Sequence, residues 1–181
     1  MATKAEDNSM DTHVAQNIQT IPEGYHTVTP WIIVKGAAQL IEYLKAAFDA
    51  EEIARVVNPD GAIGHAEIRI GDSIVMLFDA KAEWNATPAF IRLYVENGDA
   101  VHQRALEAGG TSVTEMTMLG FGDRVGRIRD PFGNIWWIQT RIEELNLQEM
   151  ERRASDPTFK DAMQYVEESL DSELSSRKGH I

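Results

Sequence analysis

Residues 121–140 of the chain read FGDRVGRIRDPFGNIWWIQT, and residues 61–79 read GAIGHAEIRIGDSIVMLFD. In both stretches a segment with apolar residues leads into a turn and then into a second apolar segment. The two stretches lie about 60 residues apart, and a strand-plus-helix pattern that begins near Ile32 recurs near Leu93 with the same offset. Two separate matches at one offset indicate that a module of the chain is duplicated.

Each copy is predicted to fold as a β-α-β-β-β module, which makes the fold class α+β. In the first copy the expected strands cover 27–34, 51–57, 63–70 and 73–79, and the expected helix covers 37–49. In the second copy the expected strands cover 90–95, 111–116, 124–129 and 135–140, and the expected helix covers 99–108 with Asp99 as its N-cap. Gly71 and Asp72 are typical of a two-residue hairpin turn, which pairs Glu67 with Met76.

Three regions of the chain differ in composition. Residues 1–23 are polar and are predicted to form a flexible N-terminal arm. Residues 24–140 hold the two modules, at about 24–80 and 88–140. Residues 141–181 are predicted to form a helical tail with an apolar stripe made of Phe159, Met163, Val166, Leu170 and Leu174. The stripe can pack on its own chain or across a dimer, and the sequence leaves both open.

The composition argues against several classes of function. The net charge is −12, from 17 basic and 29 acidic residues, so we expect no nucleic-acid partner. The chain has no cysteine, which excludes disulfide and thiolate chemistry. No apolar run approaches the roughly 18 residues of a membrane span, and residues 1–19 lack the apolar core of a signal peptide. We therefore expect a cytoplasmic protein with no membrane partner.

The tandem modules, together with the turn DPFGN at 130–134, resemble the vicinal oxygen chelate superfamily. This superfamily contains glyoxalase I, extradiol dioxygenases, and the bleomycin- and fosfomycin-resistance proteins. Residues 61–79 and 121–140 are most similar to its PhnB-like glyoxalase/bleomycin-resistance branch. The resemblance implies that each module forms half of a cup around a ligand. The two halves come from one chain or from two chains, and we expect a homodimer.

The resemblance also specifies four metal-ligand positions, a His or Glu on the first and last strand of each module in the metal-dependent members. These positions fall on Thr29, Met76, Phe90 and Trp137. None of these side chains is a usual ligand for zinc, nickel or iron. We therefore expect no metal, no cofactor and no metal-dependent glyoxalase activity. Whether the protein is an enzyme stays open.

Strand parity predicts which side chains line the cup. Paired residues share a face of the sheet, so His65 and Glu67 are expected on the same face as Met76. The predicted ligand-binding residues are Trp31, His65, Glu67, Met76, Phe78, Phe90, Arg92, Tyr94, Arg127 and Trp137, with Gln139 as a further candidate. Aromatic walls with a few polar groups are typical of a small-molecule site. Glu67 and Arg127 occupy equivalent positions of the repeat, which favours an ion pair between the modules, with a structural or a functional role.

Three hypotheses of function remain. The first is a metal-independent binding protein of the bleomycin-resistance type, which sequesters a flat aromatic or hydrophobic molecule. The second is a lyase, isomerase or hydrolase in which His65 is the general base and Glu67 orients it, or in which both bind a displaced divalent metal. The third is a module for assembly through the tail helix. A histidine in such a position is more often structural than catalytic, so His65 can be a structural residue, and His13, His26, His102 and His180 are assigned no role.

Overall fold

The computed structural model describes residues 19–85 and 87–177, and its elements follow the predicted duplicated order. The first module contains β1 (Trp31–Val34), α1 (Ala37–Phe48), β2 (Glu51–Val57), β3 (Ile63–Ile70) and β4 (Ser73–Asp79). The second contains β5 (Phe90–Tyr94), α2 (Gly98–Glu107), β6 (Thr111–Met118), β7 (Asp123–Arg129) and β8 (Ile135–Arg141). Two further helices follow, α3 (Leu147–Ser155) and α4 (Pro157–Ser176). The predicted α+β fold with a C-terminal helical extension is confirmed.

Each module forms its own four-stranded mixed sheet. The strand order is β1-β4-β3-β2 in the first sheet and β5-β8-β7-β6 in the second. The first strand of each module runs parallel to the last, and the other neighbours are antiparallel. Glu67 pairs with Met76, and Arg127 pairs with Trp137, in the predicted register. The two sheets therefore place repeat-equivalent residues at equivalent points.

One hydrophobic core joins the two modules. The apolar residues predicted to face the helices are all buried, namely Ala66, Ile68, Ile70, Val75 and Leu77. Helices α1 and α2 pack on their own sheets and on each other, and the Tyr43 hydroxyl donates to the carbonyl of Ala105 at 3.4 Å. The ring of Phe48 lies 4.9 Å from the ring of Trp136 in the other module. Burial of these residues, at about 1.5–3 kcal/mol for each large side chain, holds the modules together.

The start of each helix is held by a side chain on the last strand of its module. Asp79 accepts three backbone N–H groups at 2.7–2.9 Å, two from the start of α1 and one from the start of β3. Burial acts to raise the pKa of Asp79, but the three donors outweigh it and the pKa is lowered. Thr140 has the equivalent place in the second module, where its hydroxyl accepts the N–H of Gly98 at 2.9 Å and donates to the carbonyl of Val95 at 2.8 Å.

The tail packs on its own chain, which answers the question left open by the sequence. The Tyr165 hydroxyl accepts the backbone N–H of Glu115 at 2.9 Å, and the hydroxyls of Ser169 and Thr114 are 2.7 Å apart. Val166, on the predicted apolar stripe, is 2% exposed. Within the part of the chain that the structure describes, no helix combines the length and the apolar character needed to cross a membrane.

Three local predictions need correction. Strand β1 begins at Trp31 instead of residue 27, because Pro30 has no N–H and contributes only its carbonyl, which accepts from Met76 at 2.9 Å. The N-cap of α2 is Asn97, whose side chain accepts the N–H of Ala100, while Asp99 forms an ion pair with Arg124 at 2.7 Å. Strand β6 continues to residue 118. Most of the predicted flexible arm, residues 1–18, lies outside the described residues together with His13 and His180.

Candidate functional site

The side chains of Trp31, His65, Glu67, Met76 and Phe78 lie on one face of the first sheet, which we call the first-module face. Trp31 and Glu67 flank Met76 on the two neighbouring strands. The ring of Trp31 lies 5.7 Å from His65 and 5.6 Å from Phe78. Trp31 is 49% exposed, so this face presents an aromatic surface to solvent.

A histidine and a carboxylate contact each other on the first-module face. Nε2 of His65 lies 3.0 Å from Oε1 of Glu67. A hydrogen bond from the Tyr25 hydroxyl, and then the contact with His65, lower the pKa of Glu67. Glu67 is therefore a carboxylate at neutral pH and can orient the imidazole. The two side chains have the geometry of a general base and its orienting group.

The side chains of Phe90, Arg92, Tyr94, Arg127 and Trp137 lie on the second sheet, and we call them the second-module face. Arg92 and Arg127 flank Trp137 on the strands at its two sides. Their guanidinium carbons lie 4.1 and 4.0 Å from the centre of the Trp137 ring. Burial, and then the charge of Arg92, lower the pKa of Arg127 to about 10, so Arg127 is cationic at neutral pH.

Helix α4 covers part of the second-module face. Val166 packs with Leu119 and Val125, and the side chain of Trp137 lies against this cluster. Nη1 of Arg127 donates to the carbonyl of Val166 at 2.6 Å. On the β5 side the face is open, since Phe90 is 49% exposed and Tyr94 is 63% exposed.

A cavity of about 470 Å³ lies between α4 and the second-module face. Its lining includes Arg92, Tyr94, Phe121, Asp123, Arg127, Trp137, Gln139, Arg141, Met163 and Glu167. Four buried polar atoms in this lining have no hydrogen-bond partner within the protein, namely Nε of Arg127, Nε1 of Trp137, Oε1 of Gln139 and Oδ1 of Asp123. Each of these four atoms is itself buried, so it lies behind the cavity surface, and Oδ1 of Asp123 also forms an ion pair with Nε of Arg141 at 3.6 Å.

Within residues 19–85 and 87–177, the first-module face and the second-module face make no direct polar or aromatic contact with each other. The expected pair between Glu67 and Arg127 is absent there, because Glu67 is engaged by His65 and Arg127 by Thr114 and Val166. The modules pack through their helices instead.

The four positions that correspond to metal ligands do not fit a metal ion. Thr29 donates its hydroxyl to the carbonyl of His26 at 3.2 Å and lies before β1. Met76, Phe90 and Trp137 supply a thioether, a phenyl ring and an indole, and the chemistry of zinc, nickel and iron requires other donors. Over the described ranges, no group of three or more His, Asp or Glu side chains is arranged to hold a metal.

Several lining residues escaped the sequence interpretation. Asp123 was predicted to lie in a loop but begins β7, and Met163, Val166 and Glu167 come from the tail. The apolar stripe of α4 predicted that this helix packs on something, but no local signal identifies the sheet face that receives it. Tyr25 lies in an irregular segment before β1, where no periodicity assigns a direction to its side chain.

Comparisons with known proteins agree on the fold. The model of the glyoxalase/bleomycin resistance protein/dioxygenase superfamily matches residues 24–138. An uncharacterized protein of Mycobacterium bovis is 37% identical over 139 aligned residues, and the alignment covers 71% of this chain and 91% of the relative. Among solved structures, TioX from Micromonospora sp. ML1 superposes with a TM-score of 0.55 at 20% identity, over 64% of this chain and 98% of TioX. The PhnB protein from Bacillus cereus gives 0.53 at 16% identity, over 64% and 99%.

Proposed function

The chain belongs to the glyoxalase/bleomycin resistance protein/dioxygenase superfamily, and from this premise we propose that it binds a small aromatic or hydrophobic molecule without a metal ion. Sequestration of the antibiotic-resistance type is the expected role. The proposal rests first on the chemistry of the four metal-ligand positions, which hold Thr29, Met76, Phe90 and Trp137. In place of ligands, these positions supply mostly apolar groups suited to contact with an organic molecule.

The observation that carries the proposal is the exposure of large aromatic side chains on both faces. Trp31 and Phe90 are each 49% exposed, and Tyr94 is 63% exposed. Single exposed rings are common, but rings gathered on a sheet face indicate a binding surface. Trp31 packs edge-to-face against Phe78, with an interplanar angle of 72°, which leaves the rings fixed in position and open to a ligand.

We also propose that the functional unit is a homodimer. The first-module face is open within the chain, whereas α4 covers part of the second-module face. A second copy is the expected cover for the first-module face, so that a ligand contacts residues of two chains. The mass in solution, measured by sedimentation, tests this part of the proposal. A monomer that binds its ligand with full affinity contradicts it.

Calorimetric titration with a panel of flat aromatic compounds, including bleomycin-type glycopeptides, tests the binding function. We expect saturable binding by at least one class of compound. Trp31→Ala should weaken it by about tenfold or more, which corresponds to about 1.4 kcal/mol of lost contact. Leu147→Ala is the matched control, because Leu147 lies on α3 and is 79% exposed. Failure of every compound to bind, or equal binding by Trp31→Ala, contradicts the proposal.

A second candidate function is catalysis by His65 and Glu67. The 3.0 Å contact between them favours this candidate, since a carboxylate that orients an imidazole supports general base chemistry. The expected reaction is that of a lyase, isomerase or hydrolase, with or without a displaced divalent metal at these residues. If a turnover assay with carbonyl and epoxide substrates detects activity, His65→Ala should reduce it by about 100-fold or more. A smaller loss excludes His65 as the base, and elemental analysis of protein purified without chelators decides whether a metal takes part.

A further inference from the structure

We infer that the cavity under α4 binds the oxyanion group of the ligand, such as a carboxylate, sulfonate or phosphate, between Arg92 and Arg127. This inference rests on the proposed binding function, because it specifies the chemical class of the ligand. It assigns a specific partner, an oxyanion, to two of the predicted ligand-binding residues, Arg92 and Arg127. The observations that carry it are the burial of the Arg127 guanidinium without an anionic partner and the position of Arg92 beside it in the lining of the same cavity.

Arg127 is a buried cation without an anionic partner. It is 3% exposed, and its hydrogen bonds go to neutral oxygens, the hydroxyl of Thr114 at 3.0 Å and the carbonyl of Val166 at 2.6 Å. No carboxylate of the described ranges forms an ion pair with it, and its Nε has no partner. A buried charge is costly unless it is paired and fully hydrogen-bonded, so a bound anion would satisfy a group that the protein alone leaves incomplete.

Arg92 brings a second positive charge to the same place. It stands across Trp137 from Arg127, in one row over three strands, and is itself free of ion pairs with the described residues. The indole compensates both cations in part by cation–π stacking. Stacking supplies no hydrogen-bond acceptor, however, so the guanidinium N–H groups that make no contact with the protein stay available to an oxyanion.

The rest of the cavity limits where the anion can lie. Asp123 and Glu167 also line it and repel an anion, but Asp123 is held by hydrogen bonding from Gln139 and lies 3.6 Å from Nε of Arg141. The anion is therefore expected at the guanidinium groups of Arg92 and Arg127, which both line the cavity.

Calorimetry with 2-naphthoate and its neutral analogue 2-naphthamide tests the inference. At pH 7 the carboxylate should bind at least about tenfold more tightly than the amide, and this preference should fall below about threefold in Arg92→Gln. Arg92→Gln is preferred to a change at Arg127 because Arg92 is exposed and the variant is expected to fold. Arg55→Gln is the control, since it removes the same charge from the exposed face of β2 in the other module.

The outcomes separate the inference from the proposed function. Equal binding of naphthoate and naphthamide, unchanged by Arg92→Gln, overturns the anion site and leaves aromatic binding in place. If neither naphthyl compound binds, inorganic sulfate and phosphate serve as probes. A rise in melting temperature with these ions that is lost in Arg92→Gln but kept in Arg55→Gln supports the anion site without the aromatic ligand. No rise, or the same rise in all three proteins, overturns the inference.

Discussion

The two modules share one β-α-β-β-β backbone, which we call the frame, but the side chains on their sheet faces carry opposite charges. In each module three side chains form a row across the sheet, which is Trp31–Met76–Glu67 in the first and Arg92–Trp137–Arg127 in the second. The first row carries one carboxylate and is partly exposed, mostly at Trp31. The second row is basic and is partly covered by α4. A single frame thus supports two different surfaces.

This difference shows that the frame and the faces depend on separate interactions. The frame is held by the apolar sides of the sheets, by α1 and α2, and by the anchors Asp79 and Thr140. None of these interactions uses the side chains of the two rows. The two rows can therefore differ in charge and in whether a helix covers them. Substitutions in a face, in the helix that covers it and in the frame should change stability by different amounts.

The largest effect is expected when the cover of the second-module face is removed. Val166→Asp places a carboxylate where a 2% exposed valine packs against Leu119, Val125 and Trp137. The docking of α4 should weaken by about 3 kcal/mol or more, because apolar burial is lost and a charge is left unpaired. Hydrogen exchange of the α4 amides measures this change. Leu147→Asp, on the exposed side of α3, is the control and should leave the exchange of the α4 amides unchanged. Equal protection of these amides in both variants would mean that Val166 does not hold α4 on the second-module face.

The next largest effect is expected at Asp79 and Thr140, the side chains that hold the starts of α1 and α2. Asp79→Ala removes a charged acceptor of three backbone N–H groups and should lower the free energy of unfolding by about 2–3 kcal/mol. Thr140→Ala removes a neutral hydroxyl that makes two hydrogen bonds and should cost about 1 kcal/mol. Urea denaturation of both variants measures the difference. Equal losses would mean that the charge of Asp79 contributes nothing to its module.

The same anchors should differ in their response to acid. The pKa of Asp79 is lowered in the folded protein from its ordinary value of 3.8. Its contribution to stability is therefore fully present above that value and is lost as the pH falls through the lower folded value. The stability gap between the wild type and Asp79→Ala should be constant near neutral pH and shrink below about pH 4. The gap for Thr140→Ala should not change with pH, and a constant gap for both contradicts the role of the Asp79 charge.

The smallest effect is expected on the open face. The Glu67 side chain is 20% exposed and contacts His65, which is 30% exposed, so their interaction is weakened by solvent. Glu67→Gln should change the free energy of unfolding by less than about 1 kcal/mol. Thermal unfolding at neutral pH, with Glu51→Gln as an exposed control on β2, measures this. A loss of stability comparable to that of Asp79→Ala would show that the contact between Glu67 and His65 helps to hold the fold together.

Much of the frame could be predicted from the sequence. Alternation of apolar residues, the Gly71-Asp72 turn and the 130–134 turn fix strands β3, β4, β7 and β8 and their register, because a hairpin turn and one buried face allow only one pairing. The first residue of β1 and the N-cap of α2 were predicted wrongly. Pro30 cannot donate a hydrogen bond, so β1 begins at Trp31, and Asp99 forms an ion pair with Arg124 instead of capping α2. Side chains that share a face were also predictable, as strand parity alone determines them.

The sequence by itself determined the duplication, the fold class, the parity of each strand and the apolar character of the α4 stripe. These follow from local periodicity and turn chemistry, which act over a few residues. Only the tertiary structure decided that α4 covers part of the second sheet, that Glu67 and Arg127 form no ion pair, and that Arg127 is buried without an anionic partner. The physical reason is that these contacts join segments far apart in the chain, and burial and hydrogen-bond satisfaction of the whole molecule select them.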